Sequence, residues 1–469
     1  MSMHPFDYNF QQNIYSTPEL STLYDETQRI ERWLKIEAAI ADAQKKYNLI
    51  PSESADRIRA VSHFDNLDIS CLKSHYRKTR NTIIPVLQAL REACGGDSQH
   101  YVHHGATTQD IIDTGEMMAL QTALNIMVRE LRDLEEKFIL IAQEHRATPM
   151  IGRSHGQHAI PITLGLKIAI WLEEIHRHIE RLEYCAKVTP TLQLGGAVGT
   201  LAALSMPREI KQHVAEKLGL NYTFSSWHTA RDRVVEAASS LTMATVTLQK
   251  IANEIYELGR SEFAEVCESD GKQQAASSST MPHKHNPVLC QRITVMATHT
   301  RSLCSTVMEN MSPQHERDPR QLWSEWLAMP QLATYACTAA ATLNQVVSDL
   351  QIHPENMKKN ICLHGDLVAS EWLLFRLAPI IGKHAAHTAL FNAGQLSLAT
   401  NTPLVECLLQ QVTLEAPLDE ETLEIARHPD RYIGYATDIV DEVLAFITQA
   451  RQQDTPLPIA TNAVARRAQ

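Results

Sequence analysis

"EMMALQTALNIMVRELRDLEEKFILIAQEHRA", Glu116 to Ala147, decides the fold class. It contains neither glycine nor proline, and Leu120, Leu124, Met127, Leu131, Leu134, Phe138 and Ile141 recur at three- and four-residue steps. Those steps put the side chains on one stripe of an α-helix. The same pattern continues outward along the chain. "PITLGLKIAIWLEEIHRHIERLEYCAKV" (161–188), "RVVEAASSLTMATVTLQKIANEIYELGRSEFAEV" (233–266, broken only by Gly259) and the stretch from Val288 to Met311 all read as long helices. Helices of roughly 30 residues exceed the usual 11–12 and would run about 45 Å. Rods of that length without caps predict an all-α bundle. Several carry Ala, Ser, Thr and Leu on most faces, and a helix apolar nearly all round is buried on all sides. One chain cannot easily bury several such rods, so the central bundle is expected to be completed by other copies, giving a homo-oligomer.

The chain divides into three parts and a tail. Residues 1–112 hold shorter helices such as "ETQRIERWLKIEAAIADAQKKYNLIP", residues 113–350 hold the rods, and residues 351–452 return to shorter helices with turn signals such as "IHPENM" and "TNTPL". The tail 453–469 is polar and is expected to be disordered.

The 469 residues are 44% apolar and 21% charged, ordinary for a globular protein. A net charge of −11 argues against nucleic-acid binding, which needs clustered cations. No apolar run approaches the ~20 residues that span a bilayer. "MSMHPFDYNFQQ" lacks a signal pattern. Nine scattered cysteines without a C-x-x-C pair fit reduced thiols in a cytoplasmic protein.

Polar islands interrupt the rods. "GATTQD" (105–110) looks like a helix start, which either is simply capped or binds an anion through free backbone N–H groups. "SHGQH" places His155 and His158 three residues apart, a spacing that on a helix could hold a metal. No carboxylate or third ligand lies nearby, and Gly156 loosens any helix there. Structural histidines, or a proton-transfer role for one of the two, remain open. "LGGAVGT" (194–200) and "SPQHERDPRQLW" (312–323) are further islands. "SSSTMPHKHNPVLC" (277–290) is a loop, since Pro282 and Pro287 would break a helix. It is either a solvated surface segment or one that covers an anionic substrate with hydroxyls, Lys284 and Asn286. It matches neither a phosphate loop nor a nucleophile elbow.

Taken together, these stretches resemble the fumarase/aspartase superfamily. Ser278, Met281, Lys284 and Asn286 match its signature loop, with Ser277 where glycine is usual. "GATTQD", "GRSHGQHAIPITLGLKIAIWLEE", "GGAVGT", "WHTARDR" and "QHERD" follow in the family's order, so the resemblance runs from Tyr15 to about Leu444. Within the superfamily the chain is similar to the branch of adenylosuccinate lyases and 3-carboxy-cis,cis-muconate cycloisomerases. "SHGQHA" and "HERD" look like the former; "WHTARDR", "WSEW" and "DRYIGYA" look like the latter. The chain departs from the adenylosuccinate lyases where they hold the nucleotide phosphate. Ile14 precedes Tyr15 where arginine is usual, Trp323 and Trp326 replace a serine and an arginine, and Asn81 stands where a second catalytic histidine is expected.

The resemblance implies a central bundle that assembles into a tetrameric, 20-helix core with active sites shared between subunits. It implies β-elimination with fumarate release from a succinyl-amine, adenylosuccinate being the default substrate and purine biosynthesis the setting. A muconate lactonisation is the alternative, and a non-catalytic structural role, as in crystallins, is the third reading. It implies Ser278 as the base and His155 as the general acid. Thr107, Thr108, Lys284 and Asn286 would bind substrate carboxylates, with Arg231 and Arg317 as clamps. No metal and no organic cofactor is required by this chemistry.

Overall fold

The computed structural model describes residues 11, 13–269, 281, 284–414 and 417–452. Ser278 and the tail 453–469 lie outside the described residues. Five long helices run side by side: α6 (Thr108–Glu144), α7 (Leu164–Val188), α9 (Asp232–Leu258), α10 (Val288–Glu309) and α11 (Pro319–Ser348). The stretch that opened the reading lies within α6 and one turn beyond it. There Leu120, Leu124, Met127, Leu131, Leu134 and Phe138 are all buried, while Ile141 is half-buried. With 37 residues, α6 spans about 55 Å.

Side-chain contacts fix the directions of the rods. Asn344 donates to the Glu130 carbonyl, and Cys337 to the Ala123 carbonyl, so α6 and α11 run parallel. His176 meets Glu135 and Arg132 meets Glu183, so α7 runs against α6. His178 meets Thr247 and Lys167 meets Glu254, so α9 runs against α7. Thr294 donates to Asn253 and Arg301 to Gln249, so α10 runs against α9. The up-and-down order puts the starts of α6, α9 and α11 at one pole of the bundle. The starts of α7 and α10 lie at the other.

Around the bundle sit shorter helices. α1 (Pro18–Leu23), α2 (Glu26–Lys46), α3 (Ser52–Val61), α4 (Ile69–Thr79) and α5 (Ile84–Cys94) precede α6. α2, α3 and α5 share a hydrophobic core of their own. α8 (Pro207–Leu218), from the middle of the chain, adds Ile210, Val214 and Ala215 to that same core. After the rods come α12 (Pro354–Ile361), α13 (Ser370–Ile381), α14 (Lys383–Thr400), α15 (Leu404–Gln411), α16 (Glu420–Arg427) and α17 (Ala436–Gln452). α13 to α16 enclose a third core around Leu373, Leu377 and Leu408.

Strands are few among the described residues: a hairpin of β1 (Pro149–Ser154) and β2 (Gln157–Thr163), and a short pair of β3 (Val266–Cys267) with β4 (Gln351–Ile352). No helix of the described residues is long and apolar enough to cross a membrane. The nine cysteines are all free.

Candidate active site

At the pole where α6 begins, three of the quoted polar stretches, "GATTQD", "LGGAVGT" and "WHTARDR", meet on one buried carboxylate. Asp110 is fully buried and accepts from the backbone N–H groups of Thr107 (3.0 Å), Gly195 (2.9 Å) and Gly196 (2.9 Å). Its Oδ1 also lies 2.8 Å from His228 Nε2. His228 Nδ1 is 2.9 Å from Ser226 Oγ, which accepts from Gln193 Nε2 at 2.7 Å. A buried carboxylate is tolerated only when its lone pairs are filled, and here they are. Gly195 has to be glycine: a Cβ there would fall 2.7 Å from Ser226 Oγ and 3.2 Å from the His228 ring. Asp110 and His228 both stand in the quoted motifs, yet nothing in their spacing marked them as partners. Only the fold brings residues 118 positions apart into contact.

This network holds the turn that opens α6. Arg317 reaches over from the segment before α11. Its Nη1 donates to Thr107 Oγ1 (2.8 Å), and its Nε donates to Gln109 Oε1 (3.1 Å). The Thr107 hydroxyl hydrogen is therefore left to donate elsewhere, and Arg317 Nη2 has no protein partner among the described residues. Thr108 is the first helical residue, where N–H groups lack intrahelical acceptors. Thr107, Thr108 and Arg317 thus form one half-buried turn rich in hydrogen-bond donors.

Arg231 is placed differently from expectation. It is only 5% exposed, and four of its N–H groups are spent on carboxylates. Nη1 and Nη2 meet Asp113 at 3.0 Å each, Nε meets Glu325 Oε1 at 2.8 Å, and Nη2 also meets Glu325 Oε2. Its guanidinium lies 4.9 Å from the Trp227 ring centre. Burial pushes the Glu325 carboxyl above its usual range, against the pull of Arg231. In this arrangement Arg231 ties α6, α9 and α11 together and is not turned to a substrate. Asn81 likewise acts as a cap: its Oδ1 accepts from the N–H groups of Ile83 and Ile84 at 3.1 Å each, at the start of α5.

"SHGQH" is not helical. It forms the turn between β1 and β2, and His155 (φ 54°) and Gly156 (φ 74°) are its two central residues. Two successive positive φ values make the tight turn whose twist suits a hairpin. A left-handed histidine is strained by roughly 1–3 kcal/mol, a cost often kept at functional sites. The His155 side chain is exposed at the tip. His158 points back toward the C-terminal helices, edge-on to His364 with ring centres 5.3 Å apart. Burial, then Arg153 and His364, hold His158 below its ordinary value, so it is neutral near pH 7. The metal reading of this pair falls with the helix it needed.

Lys284 and Asn286 stand just before α10, at the same pole as the hairpin. Lys284 is exposed and Asn286 half-buried. The end of α9 leads there too, and Glu268 accepts from the N–H groups of Leu289 and Cys290 at 2.9 Å each. In one chain the expected site residues therefore fall into two sets. Thr107, Thr108 and Arg317 lie at one end of the rods, with His155, Lys284 and Asn286 at the other. The sets are separated by at least the length of α10, 22 residues or about 33 Å.

A family model described as "Lyase" matches residues 12–301. This chain belongs to the fumarase/aspartase superfamily of lyases. Among its relatives is the N-acetyl-S-(2-succino)cysteine lyase of Enterococcus italicus, 34% identical over 447 residues, covering 95% of this chain and 98% of that one. The adenylosuccinate lyase of Methanothermobacter thermautotrophicus is also 34% identical over 447 residues, with the same coverage. Among solved structures, the 3-carboxy-cis,cis-muconate lactonizing enzyme of Pseudomonas putida superposes with a TM-score of 0.84 at 30% identity, covering 93% of this chain and 98% of that one. Apart from two short strand pairs, the secondary structure of this lyase's described residues is helical.

Where the resemblance to adenylosuccinate lyases would put a phosphate grip, this lyase has an aromatic stack. Trp323 and Trp326 lie 5.1 Å apart at 27°, and Trp33 meets Trp326 edge-on at 6.1 Å. Arg29 covers the Trp326 ring at 4.7 Å, while its Nε pairs with Glu116 at 3.3 Å. Next to the stack opens a groove of about 650 Å³, lined by Trp33, Tyr76 and Trp326 with Arg29, Lys73 and Arg77.

Proposed function

We propose that this lyase carries out β-elimination on a succinylated substrate, breaking the bond between the succinyl carbon and a heteroatom and releasing fumarate. The observation that carries the reading is the Thr107–Thr108–Arg317 turn, which offers a hydroxyl, free helix N–H groups and a guanidinium to one small carboxylate. In such a reaction a base removes a proton from the methylene beside that carboxylate, and the electron pair passes into the carboxylate to form an aci-dianion. The pair then returns to make the double bond as the heteroatom leaves with its bonding electrons. Fixed donors and cations lower the barrier by stabilising the dianion. The resemblance assigns Ser278 as the base, Lys284 and Asn286 as partners of the reacting carboxylate, and His155 as the acid that protonates the leaving atom.

Because the two sets of residues sit at opposite poles, a complete site needs more than one copy. Antiparallel association of rods would bring the hairpin of one copy to the turn of another. Exposed apolar side chains on the rods support this: Met243, Val246 and Tyr256 on α9, Val295 and Met308 on α10, and Leu327 on α11. The reading is a homotetramer with shared sites, as the resemblance implies.

Adenylosuccinate is the default substrate of the reading. The aromatic stack favours a leaving group without a nucleotide phosphate, since a phosphate calls for several charged donors and Arg29 is already engaged by Glu116. A succinyl-amine or a succinyl-thioether fits equally well, the latter by likeness to the N-acetyl-S-(2-succino)cysteine lyases. The tryptophans and the 30% identity to a lactonizing enzyme favour muconate cycloisomerisation as the second reading.

One assay separates these. The protein is incubated in turn with adenylosuccinate, with N-acetyl-S-(2-succino)cysteine and with 3-carboxy-cis,cis-muconate, and fumarate and lactone are measured. Fumarate from either succinyl compound is the expected result, and lactone alone would overturn the elimination.

A further inference from the structure

The His155 side chain has no partner among the described residues, so the placement of its imidazole depends on what holds the hairpin. The directional side-chain anchor of the hairpin is Arg153, two residues before His155 on β1 and paired in register with His158 on β2. Arg153 Nη1 donates to Glu265 Oε2 at 2.9 Å, and Nη2 donates to Oε1 at 2.8 Å. Glu265 is fully buried, and Asn360 Nδ2 donates a third bond to its Oε1 at 2.8 Å. The Phe263 ring covers the guanidinium at 4.6 Å.

Glu265 is itself anchored on both sides. Its N–H donates to the Leu258 carbonyl at the end of α9, and its carbonyl accepts from His353 N–H, both at 2.9 Å. The carboxylate is thus fixed to the end of a rod, and the forked guanidinium passes that position to the hairpin. Other supports of the hairpin include the packing of Met150 and Ile162 on the main core, the apolar contact of Ile151 with Ile361 and Val368, and the edge contact of His158 with His364. None of these is directional in the way a two-bond fork is. A buried ion pair of this kind is poorly explained by stability, since apolar residues of similar volume often serve as well.

We propose that Glu265 is a positioning residue for His155: through Arg153 it fixes the hairpin so that the exposed imidazole meets the leaving atom. The proposal rests on the reading of His155 as general acid. It goes beyond that reading by naming the group that places the acid.

The test is a double-mutant cycle on the full-length protein, with whichever succinyl substrate the wild type turns over. Glu265→Gln keeps the shape and removes the charge. It is expected to lower kcat roughly 10–100-fold, the scale of an ångström misplacement, with KM little changed. His155→Asn alone is expected to lower kcat by about 10²-fold or more. The decisive variant carries both changes. If Glu265 acts through His155, the double variant is no slower than His155→Asn, within about twofold. Effects that multiply, or a Glu265→Gln enzyme as fast as the wild type, overturn the proposal while leaving His155 as the acid. A His155→Asn enzyme as fast as the wild type overturns both the proposal and the reading beneath it. Should Glu265→Gln fail to fold, the paired Arg153→Met, Glu265→Leu variant replaces the ion pair with apolar bulk. It should fold and show the same loss of kcat, and full activity there overturns the proposal.

Discussion

The two poles of the bundle are built on opposite principles. At the Thr107 pole one buried aspartate gathers three backbone N–H groups and an imidazole, and three separate stretches of sequence become a single knot. At the His155 pole the histidine projects from a strained two-residue turn, and Lys284 stands exposed before α10. The first pole is knit together within one chain and presents hydrogen-bond donors at the start of α6. The second presents the His155 imidazole and the Lys284 ammonium at exposed positions. Under the proposed function, burial and exposure divide the labour: one end would hold the carboxylate, and the other would deliver the acid to a different copy.

The largest expected effect tests the chemistry itself. Ser278→Ala should lower kcat by roughly 10²–10⁴, the usual loss for a general base, while the oligomer and its thermal unfolding stay as in the wild type. Fumarate release at the wild-type rate would take the base role from Ser278.

The next effect is on stability and belongs to the knotted pole alone. Asp110→Asn leaves buried donors facing an amide and should cost about 3 kcal/mol in denaturant unfolding. His155→Asn, at the open pole, should cost nothing measurable. Equal destabilisation by the two would erase the contrast drawn between the poles.

That contrast was only half legible in the sequence. The rods were readable because Leu120, Leu124, Met127, Leu131, Leu134 and Phe138 keep one periodicity over many turns, and a long amphipathic pattern has few alternative structures. The helix start at "GATTQD" was readable for a local reason, since a cap needs only its own residues. The hairpin was not. "RSHGQHAIPI" alternates weakly, and the turn is set by positive φ values at His155 and Gly156, one of them on a residue that carries a Cβ. Arg231 was misjudged for a different cause. Its partners Asp113 and Glu325 lie 118 and 94 residues away, so its saturation is a property of packing. The Ser226–His228–Asp110 chain was hidden for the same reason.

A smaller effect concerns the grip on substrate. Arg317→Gln removes the guanidinium that meets Thr107 and should lower kcat/KM roughly 10–150-fold, the worth of one charged hydrogen bond, with the fold retained. The loss should fall on every succinyl substrate alike, because the carboxylate is common to all. A loss confined to one leaving group would move Arg317 away from the carboxylate.

The smallest effect comes from between the poles. His178, packed in the rods against Thr247, is pushed down to about 4 by burial and then by Arg181. The unfolded chain therefore binds a proton that the folded one refuses. Stability contributed by the neutral ring is fully present above the unfolded value near 6.5 and is lost as pH falls toward 4. The loss should be roughly 2 kcal/mol after allowing for partial solvation, and His178→Gln should flatten it. Unchanged pH dependence in that variant would assign the acid sensitivity to other groups.

The central claim, that each active site joins the Thr107 turn of one copy to the His155 hairpin of another, is tested most directly by mixing two disabled chains. Arg317→Gln and His155→Asn subunits are unfolded, combined and refolded together, and fumarate release is compared with that of each variant refolded alone. Some mixed sites would then draw an intact turn from one chain and an intact hairpin from the other, so activity well above both parents is predicted. A mixture that forms mixed oligomers yet stays as slow as its parents would contradict the account.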